Sequence, residues 1–166
     1  MGSADEQHFL FFMASKGGKV LEIGTGAGGS SLLMALAMQD ANIPGEIHTI
    51  GWDPDEANMA NTRKRINNWP NLAKRIKMYE GKSADLAGKF PNGQFDFIYI
   101  DGDHSYEGVK ADIKNYLPKL KPGGVIGFHD TNQEYVQKAI REDIKFKEVA
   151  HIDRIRAYLK PKDTNS

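Results

Sequence analysis

Five short apolar runs recur along the chain, Lys19–Ile23, Glu46–Trp52, Ile76–Glu80, Phe95–Ile100 and Val125–His129, with longer segments between them. Runs that are apolar throughout, rather than at alternate positions, fit strands buried on both faces, and strands linked through helices fit parallel pairing. The intervening segments carry helical spacing. Ser30–Gln39 is apolar nearly all round, as a buried helix is. Val109, Ile113, Tyr116, Leu117 and Leu120 recur at helical intervals, and so do Val136, Ala139 and Ile140. The alternation predicts an α/β fold, a parallel sheet with helices on both faces. Phe146–Ile152 and Ile155–Lys160 break the rhythm, because only Asp153-Arg154 separates them. Two residues cannot carry a crossover, so this pair is expected as an antiparallel hairpin at one sheet edge. Asp5–Ser15 reads as an amphipathic helix ahead of the first strand, with Phe9, Phe11, Phe12 and Met13 expected in core packing.

A chain of 166 residues with no internal repeat or linker is expected to form one domain. Within it, 1–17 holds the first helix, 18–160 the core and 161–166 a tail, and Met1-Gly2-Ser3 has the look of a cloning remnant. The absence of cysteine excludes disulfides, thiolate metal sites and a cysteine nucleophile. With 22 Lys+Arg against 22 Asp+Glu the net charge is zero, which argues against nucleic acid and membrane surfaces and for a small-molecule partner. The apolar runs Phe9–Ala14 and Leu32–Met38 fall well short of the roughly 20 residues that span a bilayer. No signal peptide opens the chain, so a cytoplasmic monomer or homodimer is expected. Arg63, Lys64, Arg65, Lys74, Arg75 and Lys77 cluster without acids between them, and are expected as a solvated face rather than a nucleic-acid patch.

The first strand runs into Gly24-Thr25-Gly26-Ala27-Gly28-Gly29-Ser30, which satisfies G-x-G-x-x-G at Gly24, Gly26 and Gly29. Glycines let the backbone turn tightly and approach a ligand beside a helix N-terminus. Where that ligand is a dinucleotide, the pyrophosphate sits on the helix start. Here Glu22 stands two residues before the first glycine. Its carboxylate would repel a phosphate but suits an ammonium group. After the second strand, Trp52 could cover an aromatic base, and Asp53-Pro54 offers either a ribose acceptor or a helix cap. Gly81-Lys82-Ser83 follows the third strand without the earlier glycine that a P-loop needs, since Ile76 occupies that position. Ser83 is a candidate cap for the next helix.

Asp101-Gly102-Asp103-His104 leaves the fourth strand and Asp130-Thr131-Asn132 the fifth. In a parallel sheet both stretches emerge at the carboxyl ends, where ligands bind. Carboxylates there are hard donors suited to Mg²⁺, Ca²⁺ or Mn²⁺. Asp101–Asp112 is no EF-hand, because Tyr106 replaces its invariant glycine and Asp112 its closing glutamate. Histidine is the residue type best suited to a general base near neutral pH, which makes His104 a candidate. His129, on the strand before Asp130, is expected behind the site or in the core. His8, His48 and His151 stand alone.

Val20–Ser30, Ile100–Tyr106 and Leu120–Ile126 together resemble the class I S-adenosylmethionine-dependent methyltransferases. Among them the likeness is to the metal-dependent O-methyltransferases of sugar, antibiotic, catechol and caffeoyl-CoA type. The resemblance spans Lys19 to Lys160. It implies a Rossmann-like open sheet of seven strands, with Gly24, Thr25 and Gly26 against the methionine part of S-adenosylmethionine. Glu22 would orient the loop or the ammonium group, and Ser30 would meet the carboxylate. The usual ribose-binding acid three residues before the proline is here Gly51, which shifts that role to Asp53. Trp52, Gly81 and Ser83 fall at the adenine. Asp101, Asp130 and Thr131 fall on a divalent cation, most simply Mg²⁺, with Thr131 in place of the usual asparagine. His104 falls on the base that takes the acceptor hydroxyl proton, and Asp101 takes part in catalysis. Other readings stay open: a metal-independent methyltransferase acting on N or O, a non-catalytic S-adenosylmethionine-binding module, and a nicotinamide-dependent oxidoreductase.

Overall fold

The computed structural model describes residues 2–163. Met1 and residues 164–166, part of the expected tail, lie outside the described residues. Helix α1 (Ala4–Ala14) precedes β1 (Gly18–Ile23), α2 (Gly29–Asp40), β2 (Gly45–Gly51), α3 (Glu56–Asn67) and the single turn α4 (Pro70–Ala73). Then follow β3 (Ile76–Glu80), the short α5 (Ser83–Leu86), β4 (Phe95–Ile100), α6 (Tyr106–Tyr116), β5 (Leu120–Phe128), α7 (Glu134–Asp143), β6 (Lys147–Ile152) and β7 (Ile155–Leu159). The strands form one seven-stranded sheet in the order β3-β2-β1-β4-β5-β7-β6. β1 to β5 are parallel, and β7 runs antiparallel to both β5 and β6. The expected sheet and edge hairpin are therefore both present, and Asp153 turns the hairpin at φ 50°.

Side chains of a strand point alternately to its two faces, and the two halves of the core follow that alternation. Leu21 and Ile23 of β1 and Ile98 and Ile100 of β4 pack on one face with Val109, Ile113 and Tyr116 of α6 and Val136, Ala139 and Ile140 of α7. Val20, Phe97 and Tyr99 pack on the other with Phe9, Leu10 and Met13 of α1 and Met34 and Met38 of α2. Both faces of the central strands are thus covered, which is why they read as continuous apolar runs. Truncating a fully buried residue such as Ile98 to alanine costs about 2–5 kcal/mol.

The first helix packs as expected at Phe9 and Met13, but Phe12 is exposed. Its start is set by a capping box: Ser3 Oγ accepts from Glu6 N at 3.2 Å, and Glu6 Oε2 accepts from Ser3 N at 2.9 Å. The fifth strand begins earlier than its apolar run, at Leu120, because the chain around Gly123 and Gly124 shifts register against β4 between Phe95 and Phe97. Among the described residues, no helix is long and apolar enough to cross a membrane.

Candidate active site

The strand order reverses between β1 and β4, and at such a switch point the crevice beyond the carboxyl ends of the strands receives ligands. The loop after β1 is held there by its neighbours. Gly24 N and Thr25 N donate to Ile50 O at 2.9 and 3.1 Å, and Asp101 N donates to Ile23 O at 2.8 Å. Gly24 has φ 104°, and a Cβ there would sit 2.0 Å from the carbonyl oxygen of Asp101, so no side chain fits. A Cβ on Gly26 would meet nothing, because its face looks into open space.

Glu22 is fully buried behind this loop. The hydroxyls of Ser30, Ser31 and Thr49 donate to its carboxylate, Thr49 at 2.6 Å. Burial pushes its pKa up against the pull of those three hydroxyls. Through these contacts Glu22 ties the start of α2 to β2. Ser30, expected at a ligand carboxylate, instead gives its hydroxyl hydrogen to Glu22 and is not part of the cleft lining.

The cleft itself has a volume of about 960 Å³, in the range of small-molecule sites. Its walls come from successive strand ends: Gly24, Thr25 and Gly26 after β1, Gly51, Trp52 and Asp53 after β2, Gly81 and Ser83 after β3, and Asp101 after β4. Trp52 stands at the rim, 56% exposed, with Lys82 Nζ 4.9 Å from the ring centroid. Position 51 has no room for an acid, since a Cβ there would lie 2.7 Å from Thr25 Oγ1. Asp53 braces the turn that follows, accepting from Asp55 N at 2.8 Å and Asn58 Nδ2 at 3.1 Å. Asp55, not Asp53, caps α3. Ser83 is not a cap either: its hydroxyl donates to Asp112 Oδ1 at 2.6 Å, and Lys82 holds the cap position of α5.

Asp112 and Arg65 are among the lining residues that were not anticipated. Asp112 projects from α6, is 2% exposed, and is pushed up to about pKa 6 by burial, with Ser83 pulling the other way and Asp103 adding to the rise. Arg65 borders the cleft from α3, inside the segment expected to be only a solvated face. Elsewhere in that segment Arg63 pairs with Glu80, and Lys77 with Glu46 at 2.5 Å.

Beside the cleft, Asp101 also enters a cluster of charged side chains. Among the described residues, Asp101, His104 and Asp130 can each bring one donor atom within 4.8 Å of the others. Asp130 holds a left-handed backbone at φ 51°. His104 Nδ1 lies 3.1 Å from Asp130 Oδ2, and the ring is 43% exposed. His129 reaches in from the end of β5: its Nδ1 lies 3.1 Å from Asp101 Oδ1 and 3.3 Å from Asp130 Oδ1, yet lines up with neither as a hydrogen bond. On its far side Nε2 is 3.4 Å from Glu6 Oε2. Burial opposes charge on His129, but its contact with Asp101 and the charges of Asp101 and Asp130 prevail and raise its pKa to about 9.

Glu6 is buried at the back of this cluster. Burial alone would raise its pKa, but Arg154, the Ser3 amide and His129 lower it. It accepts from Arg154 N at 3.1 Å, Nε at 3.2 Å and Nη2 at 3.2 Å, while Arg154 Nη1 reaches Asp130 Oδ1 at 3.2 Å. Thr131, expected as a cation ligand, is buried, and its hydroxyl donates to Arg154 O at 2.9 Å.

Residues 21–131 match the model of a family described as "Methyltransferase domain". Among curated proteins, the "Uncharacterized protein R132" of Acanthamoeba polyphaga mimivirus is 34% identical over 117 residues, 66% of this chain and 50% of that protein. The chain spans half or less of the length of the curated relatives it matches. Among solved structures, the S-adenosylhomocysteine-bound methyltransferase PaMTH1 of Podospora anserina has a TM-score of 0.79 at 20% identity, over 98% of this chain and 80% of that one. The O-methyltransferase TomG of Streptomyces achromogenes, involved in tomaymycin synthesis and solved with S-adenosylmethionine, has a TM-score of 0.74 at 17% identity, over 97% and 82%. Both show that the fold is shared.

Proposed function

The chain belongs to the methyltransferase-domain family, and we propose that it is an S-adenosylmethionine-dependent methyltransferase acting on a hydroxyl of a small molecule with the help of a divalent cation. One observation carries this reading: Asp101 belongs both to the lining of the cleft and to the cluster with His104 and Asp130. A donor held in the cleft and an acceptor held at the cluster would therefore meet at a single residue. Bringing two reactants into near-attack geometry is itself a large part of catalysis.

The cleft suits the cofactor. Its size, the open face of Gly26 and the backbone turn at Gly24 form a cradle that a side chain would fill, and Trp52, Asp53, Gly81 and Ser83 offer surfaces for the base and ribose. When bound, S-adenosylmethionine supplies an electrophilic methyl group and leaves as S-adenosylhomocysteine. The cluster suits a cation too, since two carboxylates converge there beside an imidazole. Asp101 and Asp130 would hold it, and it would supply Lewis acidity to an acceptor oxygen. His104 takes the hydroxyl proton, and the neighbouring Asp130 carboxylate stabilises the imidazolium that forms. An acceptor oxygen held at the cluster would receive that methyl group, with the cofactor's sulfur as the leaving group.

A second reading, a methyltransferase that needs no metal, has its own support. Arg154 and His129 already set positive charge against Asp101 and Asp130. Turnover of S-adenosylmethionine with a panel of hydroxyl acceptors, in EDTA and after adding Mg²⁺, separates the two. Loss in EDTA with recovery on Mg²⁺ supports the cation-assisted reaction, and full activity in EDTA supports the second reading. If S-adenosylhomocysteine does not bind at all, both are wrong.

A further inference from the structure

We infer that Asp112 reads the base of the methyl donor: its free carboxylate oxygen accepts a hydrogen from the exocyclic amine of adenine, and Ser83 positions it for that contact. This deepens the S-adenosylmethionine reading and rests on it. Asp112 reaches the cleft from α6, on a wall it shares with Gly108 and Ala111. Residues three and four apart lie on one helix face, and two of these three have almost no side chain. The wall is therefore flat, as a planar ring requires, with one polar group set into it.

That group is half-satisfied. Asp112 is 2% exposed, and its Oδ1 accepts from Ser83 Oγ at 2.6 Å. Ser83 is fixed in turn, because the hydroxyl of fully buried Tyr116 donates to its carbonyl oxygen at 2.5 Å. Oδ2 faces Gly102, where a Cβ would stand 3.5 Å from it, and has no hydrogen-bond donor among the described residues. Burying a carboxylate costs stability unless it is paired, and among the described residues no lysine or arginine pairs with this one. An acid kept in a cleft at such a cost marks a group that meets a ligand. Its pKa of about 6 still leaves it ionised at neutral pH, when a carboxylate only accepts. The ligand atom it suits is therefore an N–H or O–H donor. Its neighbours are Gly81 and Ser83 after β3 and Gly102 after β4, whereas Asp53 stands by the ribose and the glycine loop by the methionine part. The donor left for Asp112 is the base amine.

The test is calorimetry with S-adenosylhomocysteine and with S-inosylhomocysteine, in which a carbonyl oxygen replaces the amine. The unmutated chain should favour the adenine compound by about tenfold or more, because a site built for an N–H donor rejects an analogue without it. In Asp112→Asn, Ser83 holds the amide oxygen and the NH₂ group takes the place of Oδ2, so the preference should shrink by about tenfold or reverse. If that variant does not fold, Ser83→Ala decides: with its anchor gone, Asp112 should discriminate about threefold less. 5′-Methylthioadenosine and 5′-methylthioinosine keep the base and lack the ammonium group, and should show the same preference as the longer pair. Equal affinity for the two bases in the unmutated chain, a preference that the variant leaves unchanged, or a preference that vanishes in the methylthio pair would each overturn the inference. All three outcomes leave S-adenosylhomocysteine binding itself intact. Its absence from the unmutated chain would instead sink the methyltransferase reading, and the inference with it.

Discussion

The site has two halves that are built differently. The cleft takes its walls from consecutive strand ends, and each wall is a run of a few residues whose backbone does most of the work. The charged cluster draws Glu6, Asp101, His104, His129, Asp130 and Arg154 from both ends and the middle of the chain, and is held by side chains. The difference teaches that a ligand cradle can be specified locally, whereas a cluster of charges needs the finished sheet. Asp101 is the hinge between them, because its backbone carbonyl fixes Gly24 while its carboxylate belongs to the cluster.

Substitutions that strike one half alone sharpen this contrast. The largest effect is expected at His104: His104→Ala should lower kcat by about 10²–10⁴-fold, while S-adenosylhomocysteine affinity by calorimetry stays within twofold. A parallel loss of affinity would show that the halves are not separable. Gly24→Ala strikes the other half. Its Cβ would press on the Asp101 carbonyl at a φ that favours glycine, so it should cost about 3 kcal/mol in urea unfolding and abolish measurable cofactor binding. Glu6→Ala, which strands Arg154 and the far nitrogen of His129, should cost about 2 kcal/mol and leave cofactor affinity nearly intact.

The smallest effect is the most diagnostic of the cleft. Asp112 has its folded pKa raised to about 6 from an ordinary 3.8, so the folded state holds the proton more tightly than the unfolded one. The resulting cost is absent below pH 4, grows between pH 4 and 6, and stays constant above. Asp112→Asn should remove it, for a net gain of about 1 kcal/mol at pH 7 once the unpaired amide hydrogens are set against the lost charge. At pH 3.5 the variant should show no gain, and urea midpoints at the two pH values read the difference.

The same contrast explains what was legible in the sequence. The apolar run of β4 coincides with its strand to the residue, because a strand buried on both faces leaves an unbroken signature, and that of β3 does so too although Lys77 and Glu80 are exposed at the sheet's edge. The glycine loop was legible for a similar reason, since only glycine meets the φ and the close approach at Gly24. Gly51 was legible as a departure but not as a cause, because the hydroxyl that excludes an acid there belongs to Thr25, 26 positions earlier. Nothing in the sequence singled out Glu6, because its partner Arg154 lies 148 residues away and no spacing rule reaches that far. Asp112 read as the failed end of a calcium loop. Thr131 was assigned by position alone, and only the fold shows its hydroxyl turned to the Arg154 carbonyl.

The tie between Glu6 and Arg154 also sets an order of events during synthesis. Every residue that lines the cleft lies at or before Asp112. The acid-and-imidazole cluster cannot close until Arg154 has left the ribosome and the last β-ribbon has docked. Domains fold as units, so synthesis delivers the residues of the cleft first and those of the cluster last. The cluster is completed only when nearly the whole sheet is in place to hold it.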